Sequence, residues 1–178
     1  MIHLIGDSHV WHLNKLFQSR DYYMGSLTAY NLSKREDWLL SIIGKIPPKE
    51  PIMMVFGEID CRVHLIHQSI IQNRKISDVV EECCERYLKV IRKVRKPVYV
   101  WGMIPSQKDS NPLDLVCPRY GSKEDRDLVS KMFNSYLKDK CKLIDFFDLI
   151  TPDMYLKDGV HLSLKAKPLF DGFSLSSG

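Results

Sequence analysis

The sequence predicts an α/β protein: a three-layer α/β/α sandwich with a parallel sheet of about five strands and helices on both faces. Two observations carry this. Short apolar runs that read as strands alternate with segments of helical spacing along the whole chain. The run "PIMMVFG" (51–57) is apolar at consecutive positions, the pattern of a strand buried on both faces. The chain has 178 residues, the size of one ordinary domain, and a single domain spanning 1–178 is expected. At 44% hydrophobic and 27% charged residues it has the composition of a globular protein able to bury a core without staples.

Taken in order, "IHLIG" (2–6) reads as a short buried strand. A helix is expected over 7–19, with Val10, Leu13 and Phe17 on one face. "DYYMG" (21–25) is a second candidate strand. The segment 34–46 reads as a helix stopped by Pro47 and Pro48, and 51–57 as the third strand. A long amphipathic helix is expected over 77–95, with Ser77 or Asp78 as its cap and basic residues gathered at its C-terminal end. "KPVYVWGM" (96–103) is a fourth strand. The helix over 122–140 opens on Ser122 with Asp125 three residues on, resembling a capping box. "CKLIDFF" (141–147) is the last strand, and 163–170 a short helix strained by Pro168. Two irregular stretches, 58–76 and 104–121, follow strand C-termini, where open α/β sheets bind ligands. The second contains Pro105, Pro112, Pro118 and Gly121.

The net charge of +4 is mild and does not suggest a nucleic-acid partner. The basic run from Arg86 to Lys96 is explained as the solvated face and C-terminal end of a helix. Five cysteines (Cys61, Cys83, Cys84, Cys117 and Cys141) match no disulfide or zinc pattern and are expected to be reduced. A cytoplasmic location follows as an expectation, since "IHLIG" begins directly after Met1 with no secretory leader before it. No apolar stretch reaches the roughly 18 residues that span a bilayer, so no membrane partner is expected. His9 with His12, and His64 with His67, have helical i, i+3 spacing. No carboxylate or cysteine pattern accompanies them, so no metal and no other cofactor is expected; His9 and His64 are left as candidate pocket-lining residues.

Ser8 stands where the first strand gives way to a helix. By itself it is better explained as a helix cap than as a nucleophile. A nucleophile there would have the free N–H groups of a helix start beside it. It would also need a base, and "KDGVHLS" (157–163) contains one candidate, His161, with Asp158 three residues before it. Asp-x-x-His in one turn delivers base and orienting carboxylate together. "FGEIDCRVH" (56–64) places further polar groups at the end of the third strand.

Four blocks in order, "GDSH" at 6–9, Gly25, "GEID" at 57–60 and "DGVH" at 158–161, resemble those of the SGNH (GDSL-type) hydrolase superfamily over essentially the whole chain. The resemblance implies a flavodoxin-like strand order. It also implies that Ser8 is the nucleophile, His161 its base and Asp158 the orienter, with the Gly25 N–H in an oxyanion hole. Asp7 and Asp60 are expected to hydrogen-bond turn backbone around the site. The family's third block is Gly-x-Asn-Asp, and its asparagine is an oxyanion donor. Here Ile59 occupies that place and cannot donate. Losing one such donor costs about 10²–10³ in rate. Arg62 is the nearest candidate substitute, either as oxyanion donor or as holder of an anionic substrate group, and Asn31 a weaker one.

The expected function is therefore a serine esterase acting on small acyl esters, including O-acetyl groups on carbohydrate. Its partner is then a small-molecule or carbohydrate ester. Two alternatives remain: an acyltransferase of the same fold, and a weakly catalytic or non-catalytic glycan-binding module, which the Ile59 departure motivates. The acyl group, the alcohol and the oligomeric state are not specified by the sequence.

Overall fold

Five parallel strands form one sheet: β1 (Ile2–Gly6), β2 (Ser19–Tyr23), β3 (Ile52–Val55), β4 (Val98–Trp101) and β5 (Lys142–Ile144). Their order is β2-β1-β3-β4-β5, the flavodoxin-like arrangement. The computed structural model describes residues 1–108 and 118–175. Pro112 and Cys117 lie outside the described residues.

Alternate residues of the central strands enter two separate cores, because a strand's side chains point to opposite faces. Ile5, Ile52, Met54 and Val100 pack with Leu39 and Ile43 of α2 (Glu36–Gly44), Leu88 of α4 (Ile76–Ile91) and Phe133 of α5 (Lys123–Lys138). Leu4, Met53, Val55 and Trp101 pack on the other face with Val10 and Leu13 of α1 (His9–Leu13) and with Ala166 and Phe170. This double burial explains the apolar runs of β3 and β4, and that of β1 apart from His3, whose ring is held by Tyr22 and Glu50. Each fully buried side chain of this kind contributes roughly 1.5–3 kcal/mol. Gly6 ends β1 where a Cβ would stand 2.0 Å from the Val55 carbonyl oxygen, so the close approach of β3 admits only glycine.

Several boundaries differ from expectation, each for a local reason. Helix α1 stops at Leu13 because the turn after it is tied to β2: Asn14 donates to Asp21 at 2.7 Å, and Ser19 donates to Asn14 at 2.8 Å. The edge strand β2 therefore starts at Ser19, two residues before its expected position. A 3-10 turn at Leu32–Arg35 precedes α2. The stretch 58–76 is largely helical, with a π-helical turn at Asp60–His64 leading into α3 (Leu65–Ile71). Helix α4 begins at Ile76 with no side-chain cap; the Ser77 hydroxyl donates to Asp78 instead. The capping box of α5 is present as expected: the Asp125 N–H donates to Ser122 Oγ at 3.1 Å and the Ser122 N–H to Asp125 Oδ2 at 3.0 Å. Strand β5 covers only the start of the expected 141–147. Pro168 has no N–H to donate, and Leu164–Phe170 winds as 3-10 turns rather than an α-helix. The four described cysteines are free thiols. No helix among the described residues is long and apolar enough to cross a membrane.

Candidate active site

The topology places the ends of β1, β2 and β3 side by side, with Gly6 in register with Tyr23 on one flank and Val55 on the other. The residues that follow those ends are Ser8, Gly25 and the Gly57–Asp60 segment. Ser8 sits at the start of α1 with helical backbone angles and makes no side-chain capping bond. Its hydroxyl lies instead 2.8 Å from His161 Nε2. The cap explanation of Ser8 is thus displaced by a bond across 153 residues.

His161 arrives on a tight turn. Asp158 Oδ1 accepts from the Val160 N–H at 2.9 Å and the His161 N–H at 3.0 Å, which fixes the turn. Its other oxygen, Oδ2, lies 2.8 Å from His161 Nδ1. A carboxylate at Nδ1 makes that nitrogen the donor, so Nε2 is left to accept from the Ser8 hydroxyl. Burial pushes the Asp158 carboxyl up, but the hydrogen bonds from the His161 ring and from the two backbone N–H groups hold it far below the ordinary carboxylate range. Arg119 reinforces the turn by donating to the Asp158 carbonyl at 2.9 Å and to the Lys108 carbonyl at 3.0 Å.

The two histidines of α1 flank His161, which the i, i+3 spacing alone did not indicate. The His12 ring stacks on His161 with centroids 4.3 Å apart, and His9 lies on another side at 4.6 Å. Burial, then the nearby His161, lowers His12 to about 4. His64 is exposed, and His67 packs on Tyr120.

Gly25 follows β2 with φ +75°, the left-handed region, and a Cβ there would meet nothing within 4 Å. Among the described residues no backbone partner takes up its N–H or that of Ser8. Asp60 is buried and acts on the same segment: its carboxyl accepts from the Ala29 N–H at 2.7 Å and the Tyr30 N–H at 3.3 Å. Asp7 is buried and accepts from the His9 N–H at 3.0 Å. Ile59 stands half-buried just before the π-helical turn. Arg62, in that turn, pairs with Glu58 at 2.5 Å and donates to the Pro118 carbonyl. Asn31 donates to the Thr28 hydroxyl at 3.2 Å, and both line a cavity of about 220 Å³ with Asp60, Leu65 and Gln68.

No protein-family model matches the chain, and no curated protein is detectably similar to it in sequence. Solved structures are similar in fold. Est24, a carbohydrate acetylesterase from Sinorhizobium meliloti, superposes with a TM-score of 0.58 at 16% identity over 96% of both chains. The inhibitor-bound aryl esterase of M. smegmatis gives 0.59 at 15% identity, again over 96% of both chains. A protein from Slackia heliotrinireducens, provisionally assigned as an SGNH hydrolase, gives 0.53 at 16% identity over 94% of this chain and 92% of its own. The fold is that of the SGNH hydrolases. Within that SGNH fold, these structural neighbours include esterases of both carbohydrate and aryl type.

Proposed function

We propose that the protein is a serine esterase cleaving small acyl esters, with O-acetyl groups on carbohydrate among its substrates. The observation that carries this is the chain of contacts from Ser8 Oγ to His161 Nε2 and from His161 Nδ1 to Asp158, at 2.8 Å each. In the proposed reaction His161 takes the Ser8 proton as the serine oxygen attacks the ester carbonyl. The carbonyl electron pair moves onto oxygen, where the N–H groups of Ser8 and Gly25 hold it. Collapse of that intermediate breaks the bond to the alcohol, which leaves with the proton from His161. A water molecule, deprotonated by His161, then releases the acid from the acyl-serine. Asp158 keeps the imidazole in the required tautomer and favours its charged form as the proton arrives.

The cavity that Asp60 lines also carries the amide and hydroxyl groups of Thr28, Asn31 and Gln68 beside charged Arg74 and Glu82, and these hydrogen-bonding groups support a polyhydroxylated alcohol as the leaving group. Ile59 favours slow turnover, or a binding role, as the second reading, because an isoleucine supplies no oxyanion donor. The two are separated by one comparison. The esterase reading expects p-nitrophenyl acetate hydrolysis that Ser8→Ala abolishes, and Ile59→Asn to raise it. A protein that binds acylated saccharide yet neither hydrolyses the ester nor reacts with a fluorophosphonate has the binding role.

A further inference from the structure

The proposed reaction uses Asp158 and His161 and leaves a second Asp–His pair beside them without a task. Asp7 and His9 are both buried, at 1% and 5% exposed. Asp7 Oδ1 lies 2.8 Å from His9 Nδ1. On the other side of the ring, His9 Nε2 faces the Val160 carbonyl oxygen at 3.3 Å. A carboxylate and a carbonyl oxygen both accept. The ring therefore donates at both nitrogens, and an imidazole that does so carries a positive charge. Electrostatics agrees: burial opposes the charge, but Asp7 more than offsets it, and His9 is raised to about 9.

Val160 immediately precedes His161, so the His9 bond holds the backbone that carries the base. The charged ring also stands 4.6 Å from the His161 ring, centroid to centroid. We propose that His9, held by Asp7, is a positioning residue for His161: its bond to Val160 sets where the base stands, and its positive charge disfavours a second proton on the neighbouring ring. This rests on His161 being the base. The other groups around the pair are Asp158 on the same turn, His12 and Lys15 after β1, and Glu58 and Arg62 after β3. All of them remain when His9 alone is changed.

Histidine-selective NMR on the full chain tests this. In the unaltered protein near neutral pH, His9 shows both ring nitrogens protonated; a neutral His9 overturns the proposal without any variant being made. In His9→Gln, which keeps an amide donor and removes the charge, the His161 titration midpoint rises by about one pH unit, the size of a nearby charge partly balanced by Asp7. A midpoint that does not move overturns the proposal. His9→Leu also removes the donor to Val160, and its plateau rate of fluorophosphonate labelling falls about tenfold below that of His9→Gln. Equal plateau rates overturn the positioning through Val160. Labelling of the unaltered protein separates the two claims. If Ser8 is never labelled but the His161 midpoint moves, the esterase proposal fails and the action of His9 on His161 stands.

Discussion

Asp60 reaches out of the turn after β3 to accept the Ala29 N–H at 2.7 Å, so the segment following Gly25 is held by the segment following Ile59. Burial pushes the Asp60 carboxyl up to about 6, against the hydrogen bonds from Ala29 and Tyr30. From about pH 4 to about pH 6 the folded chain then keeps a proton that the unfolded chain releases, and stability falls as pH rises through that window. His12, lowered from 6.5 to about 4, acts in the opposite sense across the same window, so the comparison between variants isolates Asp60. Urea unfolding across the window is expected to show a flatter fall, or a rise, in Asp60→Asn. Asp60→Ala, which loses both backbone bonds, is expected to cost about 2–4 kcal/mol.

His9 gives a pH dependence at the other end. Its folded value is raised from 6.5 to about 9. The stabilisation is fully present below about 6.5 and is lost as pH rises through 9, roughly 3 kcal/mol in all for a buried group. Unfolding free energies measured between those values should decline in the unaltered protein and stay nearly level in His9→Gln. Parallel curves would remove His9 as the source.

Gly25 separates backbone from side-chain requirements. Its left-handed angle costs any other L-residue about 1–2 kcal/mol, while the open space around it accepts a methyl group. Gly25→Ala is expected to fold with about that loss of stability and to lose about tenfold or more in turnover, because the N–H proposed to hold the oxyanion shifts as the backbone relaxes. Undiminished turnover would take Gly25 out of the oxyanion hole.

Arg62 is committed to Glu58 and to the Pro118 carbonyl. Arg62→Ala removes the partner of a largely buried carboxylate and is expected to destabilise the fold by about 3 kcal/mol. Its effect on the rate with a neutral ester is expected to stay below about tenfold. A fall of about 10²–10³ in kcat at unchanged KM would instead make the guanidinium the donor that Ile59 is not.

What was legible in the sequence follows from the physics of each segment. The strands β1, β3 and β4 are largely buried on both faces and therefore mostly apolar, with His3 of β1 paired to Tyr22 and Glu50, and they read clearly. The edge strand β2 is "SRDYY", half exposed, and its register was legible only to within two residues. Helix α3 was hidden because Ile70 and Ile71 are exposed, which erases the one-sided apolar stripe that marks a helix. The Asp158–His161 pair could be read from a three-residue spacing because one turn makes it. His9 was legible only as a pocket-lining candidate: its bond to Val160 spans 151 residues, and no local pattern announces such a contact.

The central claim is that Ser8 is a nucleophile activated by His161. Fluorophosphonate labelling followed by peptide mass mapping tests it most directly. The account predicts one adduct, on Ser8, formed by the unaltered protein and absent from both Ser8→Ala and His161→Ala while both variants remain folded. Labelling that persists in folded Ser8→Ala, or a folded unaltered protein that takes up no probe at any pH from mildly acid to alkaline, would contradict it.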